Sequence, residues 1–321
     1  MNVEAPGDDL KAAAESVLGA GVRVAGRLDF GNVNRVYRVE AGGRAYALKV
    51  FRHGDWPEPG KLPWVESQLA LRGVPRARLV HYTRDAAHFP HGFSLSEFVE
   101  GENCKGLIRA GRLAPAAFCE MAGSYLRRVH EVSVPRYGYL GAGEGMYDDF
   151  VGWYLACEVE DKLREMGDPS AEALYPLVER AVEPVLRRHE SRFVPVLIHG
   201  DCMPKNGLLG EGGGFALVDW DEAVAAFWVM DYAALTYWYA YTFDGGGARE
   251  PDVIRDAFFR GYGEHGFDPD ELREIELAFH TAQAAGVLWY LHKTGDGRGA
   301  ARTRELLLHL LDTTHARRGR G

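Results

Sequence analysis

The chain has 321 residues, of which 46% are hydrophobic, 12% aromatic and 26% charged, and its formal net charge is −9. This length exceeds what one hydrophobic core usually fills, so we expect one or two compact domains. The acidic balance argues against a nucleic-acid partner, because neutralising phosphates requires a basic face. A cationic or neutral partner fits this charge better.

Two features bear on where the protein works. The four cysteines show no C-x-x-C spacing, and the start of the chain lacks the basic and apolar regions of a signal peptide, so we expect a reduced, cytoplasmic location. Residues 223–243 form an apolar stretch long enough to span a bilayer, but Asp231 lies near its centre. We therefore predict a buried helix there and no membrane partner.

In chain order, the first hundred residues predict a small antiparallel sheet with helices. Short runs rich in Val, Tyr, Phe and Leu are separated by glycines, which is typical of a strand meander. The predicted elements are a helix over residues 8–18, strands over 26–30, 34–41 and 44–52, a helix over 62–73, and strands over 76–83 and 92–100.

Beyond residue 100 the pattern changes to long helical periodicity. The segment over residues 194–220 interrupts it with short strand-like runs, and Gly212–Gly214 predict a hairpin turn within that segment. The predicted helices cover residues 113–132, 146–167, 171–190, 226–243, 252–264, 269–293 and 300–316.

The interrupting segment carries the residues with a chemical pattern. His199-Gly200-Asp201 is followed five residues after Asp201 by Asn206, and Asp219 ends the next strand-like run. Phosphoryl transfer needs a carboxylate that orients the attacking hydroxyl and oxygen ligands for magnesium on the phosphates. The Asp-x4-Asn spacing with a later Asp is the kinase catalytic-loop arrangement.

This motif resembles that of the aminoglycoside phosphotransferases and choline kinase-like small-molecule kinases, H-G-D-x4-N followed by an apolar residue, Asp and Trp or Phe. The resemblance implies that Asp201 is the catalytic base and that Asn206 and Asp219 hold magnesium. It also implies ATP or GTP as phosphate donor. His199, and Asp231 as a brace of the catalytic loop, are the supporting residues in this interpretation.

The family resemblance also implies a fold class and a domain division. We expect an α+β, bilobal, protein-kinase-like fold with a small antiparallel-sheet N-terminal lobe that includes a helix, and a larger, mainly helical C-terminal lobe. Residues 1–98 are the predicted nucleotide-binding lobe, and residues 99–321 are the predicted catalytic and substrate-binding lobe.

A kinase also needs a lysine on its third strand, paired with an acidic group on the next helix. Lys49 lies on the third predicted strand, where an unpaired ammonium would be costly to bury. Glu66 is the predicted partner, with Glu58 as the alternative. An edge-strand lysine and a solvated glutamate are the ordinary alternatives for these positions.

Two further segments are predicted to contact the nucleotide. The loop after the first strand would cover the phosphates with Gly31, Asn32 and Asn34. This loop has one glycine rather than three, so without Lys49 a plain β-hairpin would have similar weight. Ser96 and Phe98 lie in the predicted linker between the lobes, whose backbone would bind the nucleobase.

The substrate prediction rests on acidic and aromatic residues in the helical half. Such faces favour amines and sugars that bear amines. The candidate substrate residues are Asp148, Asp149, Trp153, Glu158 and Trp238. Aromatic residues at helical spacing are, however, often core residues.

We expect an aminoglycoside-type antibiotic as acceptor. The alternatives are a metabolic kinase for choline, ethanolamine, a hydroxy amino acid or a sugar, and an inactive kinase fold that only binds nucleotide.

Overall fold

The computed structural model describes residues 7–28, 33–141, 143–242 and 251–318. These residues divide into two compact units, each made of several chain segments. The first unit comprises Met1–Ala114, Leu140–Gly143 and Pro204–Glu222. The second comprises Pro115–Tyr139, Glu144–Met203 and Ala223–Gly321. Whereas the sequence predicts one boundary after residue 98, the first unit also contains the later segment that carries Asn206 and Asp219.

The first unit is built on a five-stranded sheet with the order β1-β2-β3-β5-β4, in which every neighbouring pair is antiparallel. The predicted meander and the two following strands are therefore confirmed. The elements are α1 (Gly7–Leu18), β1 (Arg23–Leu28), β2 (Arg35–Ala41), β3 (Arg44–Val50), α2 (Lys61–Leu71), β4 (Leu79–Thr83) and β5 (Phe93–Glu97).

Alternation along the strands explains the core of this sheet. Tyr37 and Val39 on β2, and Leu48 on β3, are buried at every second position, as expected for strands with one apolar face. Leu10 and Ala13 of α1 pack into the same cluster. The apolar stripe of α1 therefore covers this face of the sheet.

A second, three-stranded sheet in the first unit has the order β10-β9-β6. Its elements, with the helix between them, are β6 (Glu102–Asn103), α3 (Cys104–Arg109), β9 (Gly207–Leu209) and β10 (Phe215–Leu217). The predicted glycine hairpin joins β9 to β10, and the Gly210 amide donates to the Gly214 carbonyl over 2.9 Å. Gly213 has φ +76°, a conformation that glycine adopts without strain. Helix α3 was not predicted.

The second unit is mainly helical, as predicted. Its helices are α4 (Pro115–Val129), α5 (Phe150–Trp153), α6 (Asp161–Glu165), α7 (Pro169–Glu172), α8 (Tyr175–His189), α9 (Val229–Tyr237), α10 (Pro251–Tyr262), α11 (Pro269–Thr294) and α12 (Gly297–Arg318). A small antiparallel sheet has the order β7-β11-β8 and consists of β7 (Gly138–Tyr139), β8 (Val196–Ile198) and β11 (Val224–Ala226).

Three predicted helices differ from the structure in their details. The helix predicted over residues 171–190 is divided between the end of α7 and α8. The helix predicted over residues 146–167 is divided into α5, a π-helical segment at Tyr154–Glu160 and α6. The helix predicted to begin at residue 226 begins at Val229, because Val224–Ala226 pair with β8 as a strand. Within the described ranges, no helix is both long enough and apolar enough to cross a bilayer.

Candidate active site

The loop after β8 carries the His199-Gly200-Asp201 motif and is fixed by one buried carboxylate. Asp231, on α9, is fully buried, and its two oxygens accept the backbone N–H groups of His199 and Gly200, each over 2.8 Å. Gly200 has φ +77°, which suits a turn at this point. The structure thus places Asp231 at the position expected of a loop brace.

A second layer supports Asp231. Nε2 of His130 lies 3.1 Å from Asp231 Oδ2, and Nδ1 of His130 lies 3.0 Å from the hydroxyl of Tyr262. Burial alone would raise the pKa of Asp231, but the hydrogen bond and charge of His130, with help from His199, hold it below its usual value. Sequence reasoning missed His130, since a histidine at the end of a helix carries no distinctive spacing.

Asp201 follows this braced turn. Its backbone N–H donates to His199 Nδ1 over 3.2 Å, and its carbonyl accepts the Met203 N–H over 2.8 Å. The backbone that carries the Asp201 carboxyl group is therefore held from both sides, which fixes where the side chain begins.

In the first unit, the structure brings Lys49 and Asp219 together. Lys49 Nζ donates to Asp219 Oδ1 over 2.7 Å. Asp219 has φ +68°, the only positive value among the described non-glycine residues, and its side chain is 36% exposed. A non-glycine residue in this region is strained, and such residues often occur at functional sites.

The second partner of Lys49 is Asp221. Lys49 Nζ donates a hydrogen bond to Asp221 Oδ1 over 2.8 Å. Burial by itself lowers the pKa of Lys49, but the charges and hydrogen bonds of Asp219 and Asp221 outweigh burial and raise it above its usual value. The Lys49 ammonium is thus kept charged. Asp221 was overlooked because it follows Asp219 by two residues in a segment where one acidic ligand was expected.

The predicted pairing of Lys49 with Glu66 is not what the structure shows. Glu66 Oε1 instead accepts a hydrogen bond of 2.9 Å from Arg76 Nε. The alternative partner Glu58 forms an ion pair with Lys61. Both glutamates have nearer cations, and Asp219 and Asp221 already satisfy Lys49, so the acidic partner comes from the segment after β10 and not from α2.

Lys61 is a second buried lysine in this unit. The side chain of Lys61 is completely buried. Its Nζ donates to the Asp221 carbonyl over 2.9 Å and lies 4.3 Å from the centre of the Trp56 ring. Burial lowers the pKa of Lys61, and burial likewise raises the pKa of its partner Glu58. Lys61, at the start of α2, therefore holds the backbone at Asp221, two residues after Asp219.

A cavity of about 230 Å³ lies within the first unit beside these charges. Apolar residues make up most of its wall, and the polar predicted residues Lys49, Glu66 and Ser96 border it together with Asn206 and Asp219. Phe98 also borders it, and the Phe98 N–H is bonded to the Ala45 carbonyl over 3.0 Å. Other wall residues are Leu28, Val36, Ala47, Val65, Leu208 and Val218.

The loop predicted to cover phosphates is described in part. Gly31 and Asn32 lie outside the described residues. Asn34 is 5% exposed, and its Nδ2 donates to Asp221 Oδ2 over 2.7 Å while its Oδ1 accepts the Arg52 N–H over 3.1 Å. This buried position makes Asn34 a link between loop and strand, instead of a direct phosphate contact.

The proposed metal ligands fit the chemistry of magnesium. Asn206 and Asp219 offer oxygen atoms, and the Val218 N–H donates to the Asn206 carbonyl over 2.9 Å, so the two strand ends are adjacent. Magnesium at phosphates is typically held by one or two protein oxygens, with the phosphates and water completing its shell. No group of three or more His, Cys, Asp or Glu side chains that could hold a metal ion occurs among the described residues.

Several predicted substrate residues have structural partners in the second unit. Trp153 is 2% exposed and packs against Phe150, so it is a core residue and not a substrate contact. Asp149 accepts two hydrogen bonds from Arg187 and one from the Gly152 N–H at the start of α5. The Arg187 hydrogen bonds, with help from the Gly152 N–H, lower the pKa of Asp149 to about 2.

The remaining three predicted substrate residues are less enclosed. Asp148 is 84% exposed and pairs with Arg136. Glu158 accepts hydrogen bonds from Tyr139 and from Lys162. Trp238 is half-buried in the π-helical turn after α9. These side chains do not converge on one described cavity.

Comparison with known proteins now gives the family. The sequence profile of the phosphotransferase enzyme family matches residues 25–275. An uncharacterised protein of Deinococcus radiodurans is 27% identical over 277 residues, which cover 81% of this chain and 73% of that protein.

Two solved structures show the fold. The aminoglycoside phosphotransferase APH(4)-Ia has a TM-score of 0.67 at 14% identity, over 96% of this chain and 99% of that chain. The choline kinase LicA from Streptococcus pneumoniae has a TM-score of 0.64 at 15% identity, over 95% and 98%. The fold is protein-kinase-like. Because the family profile covers well over half of the residues of this chain, the chain belongs to the phosphotransferase enzyme family.

Proposed function

We propose that this phosphotransferase moves the γ-phosphate of ATP or GTP to a hydroxyl of a small cationic molecule, most closely an aminoglycoside-type antibiotic. The observation that carries this proposal is the Lys49–Asp219 pair at the wall of an apolar cavity that Asn206 also borders. A mostly apolar cavity bordered by a cation and by two side chains with oxygen ligands suits a nucleotide, whose base is apolar on its faces and whose phosphates are anionic.

Each proposed residue then has a task. Lys49 holds the nucleotide phosphates, while Ser96 and Phe98 lie at the wall where the base would enter. Asn206 and Asp219 hold magnesium, which neutralises charge on the transferred phosphoryl group. Asp201 orients the acceptor hydroxyl and takes its proton as the oxygen attacks phosphorus and the bond to the nucleoside diphosphate breaks.

Two structural relatives support the choice of donor and acceptor. A thermostable mutant of APH(4)-Ia forms a ternary complex with AMP-PNP and hygromycin B. The second structural relative is named as a choline kinase, and choline carries a permanent positive charge. A net charge of −9 on the present chain favours cationic acceptors in the same way.

The test is an acceptor screen with purified protein and magnesium ATP or GTP. Aminoglycosides, choline, ethanolamine, hydroxy amino acids and neutral sugars are compared by the mass increase of the acceptor after phosphorylation. We expect the largest kcat/KM for an aminoglycoside-type amine. A preference for choline or another metabolite would replace the antibiotic assignment by a metabolic one, and nucleotide binding without any transfer would indicate an inactive kinase fold.

A further inference from the structure

Asp221 is a buried carboxylate whose two oxygens each accept a hydrogen bond from a side chain of the first unit. The residue is 6% exposed. Its Oδ1 accepts from Lys49 Nζ over 2.8 Å, and its Oδ2 accepts from Asn34 Nδ2 over 2.7 Å. Its backbone carbonyl accepts from Lys61 Nζ over 2.9 Å. A buried charge with this many partners is fixed in one position.

These partners come from three different parts of the first unit. Asn34 precedes β2 and is itself bonded to the backbone of Arg52, just beyond β3. Lys49 lies on β3, and Lys61 begins α2. Asp221 therefore ties the loop before β2, the third strand and the first turn of α2 to the short 3₁₀ turn at Trp220–Glu222.

The two carboxylates that pair with Lys49 are not equivalent. The side chain of Asp219 is 36% exposed, whereas that of Asp221 is 9% exposed and is closed off by Asn34. Asp219 is also the proposed magnesium ligand. If Asp219 held a metal, Asp221 would remain as the carboxylate partner of Lys49.

Glu66 does not compete for this task. Its carboxylate is engaged by Arg76 over 2.9 Å, in an ion pair whose two side chains are 21% and 23% exposed. The kinase pattern assigns the lysine's acidic partner to this helix, and here the helix uses its glutamate elsewhere.

We propose that Asp221 is a positioning residue that holds the Lys49 ammonium in place for the nucleotide phosphates, the task that the kinase pattern gives to Glu66. This inference rests on the proposed function, since it requires that Lys49 bind a nucleotide. It assigns Asp221 no contact with substrate or metal.

The experiment measures ATP binding without metal and turnover with metal for the full chain. Asp221→Asn removes the charge but keeps the shape, and we expect the Kd for ATP in EDTA to rise by roughly tenfold or more, as for loss of a charged hydrogen-bond partner. The KM for ATP should rise with it, while the magnesium concentration that gives half-maximal rate stays unchanged. Asp221→Glu, which restores the carboxylate, should recover part of the affinity.

Two comparison variants sharpen the result. Glu66→Gln should raise the Kd for ATP much less than Asp221→Asn does. Glu211→Gln changes an exposed acidic residue on the β9–β10 hairpin and should match the wild type.

If Asp221→Asn does not fold, as judged by urea unfolding, Asn34→Ala replaces it. Asn34→Ala keeps the charge of Asp221 but removes the donor to the second oxygen of Asp221. This variant should weaken ATP binding severalfold.

Three outcomes would overturn the inference. One is an unchanged Kd for ATP in Asp221→Asn, or in Asn34→Ala if that variant stands in. Another is a shift in magnesium dependence with an unchanged metal-free Kd, which would make Asp221 a metal ligand. The third is a loss in Glu66→Gln as large as in Asp221→Asn. A wild-type protein that binds no ATP would instead overturn the proposed function itself.

Discussion

At the scale of single residues, three aspartates of the two units have different surroundings. Asp219 is partly exposed and strained in φ, Asp221 is buried against Lys49, and Asp231 is buried under the loop that carries Asp201. An exposed carboxylate can exchange partners, whereas a buried one with several donors cannot. The chain thus provides one acidic residue that can turn to a metal and two that hold backbone and lysine in place.

The proposed metal ligands lead to a prediction on magnesium dependence. Asp219→Ala removes a charged oxygen ligand and should raise the magnesium concentration for half-maximal rate strongly, and Asn206→Ala, which removes a neutral one, should raise it less. The measurement is a magnesium titration of the initial rate at saturating nucleotide. Titration curves of both variants that coincide with the wild-type curve would contradict the assignment.

Asp231 leads to a prediction on stability. Asp231→Asn places an amide N–H₂ against backbone donors and leaves a buried hydrogen bond unmade, so the free energy of unfolding should fall by roughly 3 kcal/mol at pH 7. The folded-state pKa of Asp231 is depressed, so its contribution is present above the unfolded pKa of about 3.9 and is lost as pH falls through the folded pKa. Urea unfolding at pH 7 and near pH 3 should therefore show a smaller difference between variant and wild type at the lower pH. An equal difference at both pH values would contradict this linkage.

Sequence patterns single out individual residues where spacing carries the signal. The spacing of Asp201, Asn206 and Asp219 is readable in the chain, and Lys49 is recognisable as a charge in an apolar strand. The partner of Lys49 was not readable, because Glu66 and Asp221 are both acidic and only the fold shows that Arg76 occupies Glu66. Buried support such as His130 has no sequence period at all.

At the scale of elements, the contact between α4 and α10 in the second unit depends on two glycines. A Cβ on Gly261 of α10 would lie 1.9 Å from the Glu120 carbonyl oxygen of α4, and a Cβ on Gly123 of α4 would lie 2.2 Å from the Phe258 carbonyl oxygen of α10. Each helix thus presents a glycine to the backbone of the other. The two helices can approach this closely only because neither position carries a side chain.

This contact yields a prediction with a matched control. Gly261→Ala should destabilise the protein by roughly 3 kcal/mol, because backbone atoms must move to admit the methyl group. Gly286→Ala, in α11, meets nothing within 4 Å and should be neutral or stabilise by about 0.5–1 kcal/mol, since alanine favours a helix over glycine. Thermal and urea unfolding measure both. A Gly261→Ala protein as stable as the wild type would refute the close packing of α4 and α10.

Element predictions succeeded where periodicity was long and failed where apolar runs were continuous. Helix α11 and the β1–β3 meander follow their patterns directly. Val224–Ala226 lies in an uninterrupted apolar run, in which strand and helix cannot be distinguished by period, and its pairing with β8 decides the outcome. The π-helical turn at Tyr154–Glu160 likewise has no signature, because it inserts a residue into an otherwise helical pattern.

At the scale of the whole molecule, the net charge of −9 bears on the acceptor. Charges act over about 10 Å at 0.1 M salt, so an acidic protein attracts cations before contact. The exposed Asp148 belongs to this general field, whereas Asp149 and Trp153 are used by the structure itself. The claim therefore concerns the surface charge as a group and not one binding residue.

This field predicts that salt affects substrates unequally. The kcat/KM for an aminoglycoside or choline should fall as ionic strength rises from low to high, whereas that for a neutral sugar should change little. Initial rates at several salt concentrations, with magnesium and nucleotide saturating, make the comparison. Preference for the uncharged acceptor, with no salt effect on any compound, would reject a cationic substrate.

The central claim, phosphoryl transfer with Asp201 as base, is tested most directly by following labelled phosphate from γ-labelled ATP in wild type and Asp201→Asn. We expect the wild type to place the label on the acceptor hydroxyl. The variant should bind ATP with near-normal Kd but transfer label roughly 10²- to 10⁴-fold more slowly, as for loss of a positioned base. Transfer by Asp201→Asn at a near-normal rate, with the same acceptor labelled, would contradict the account.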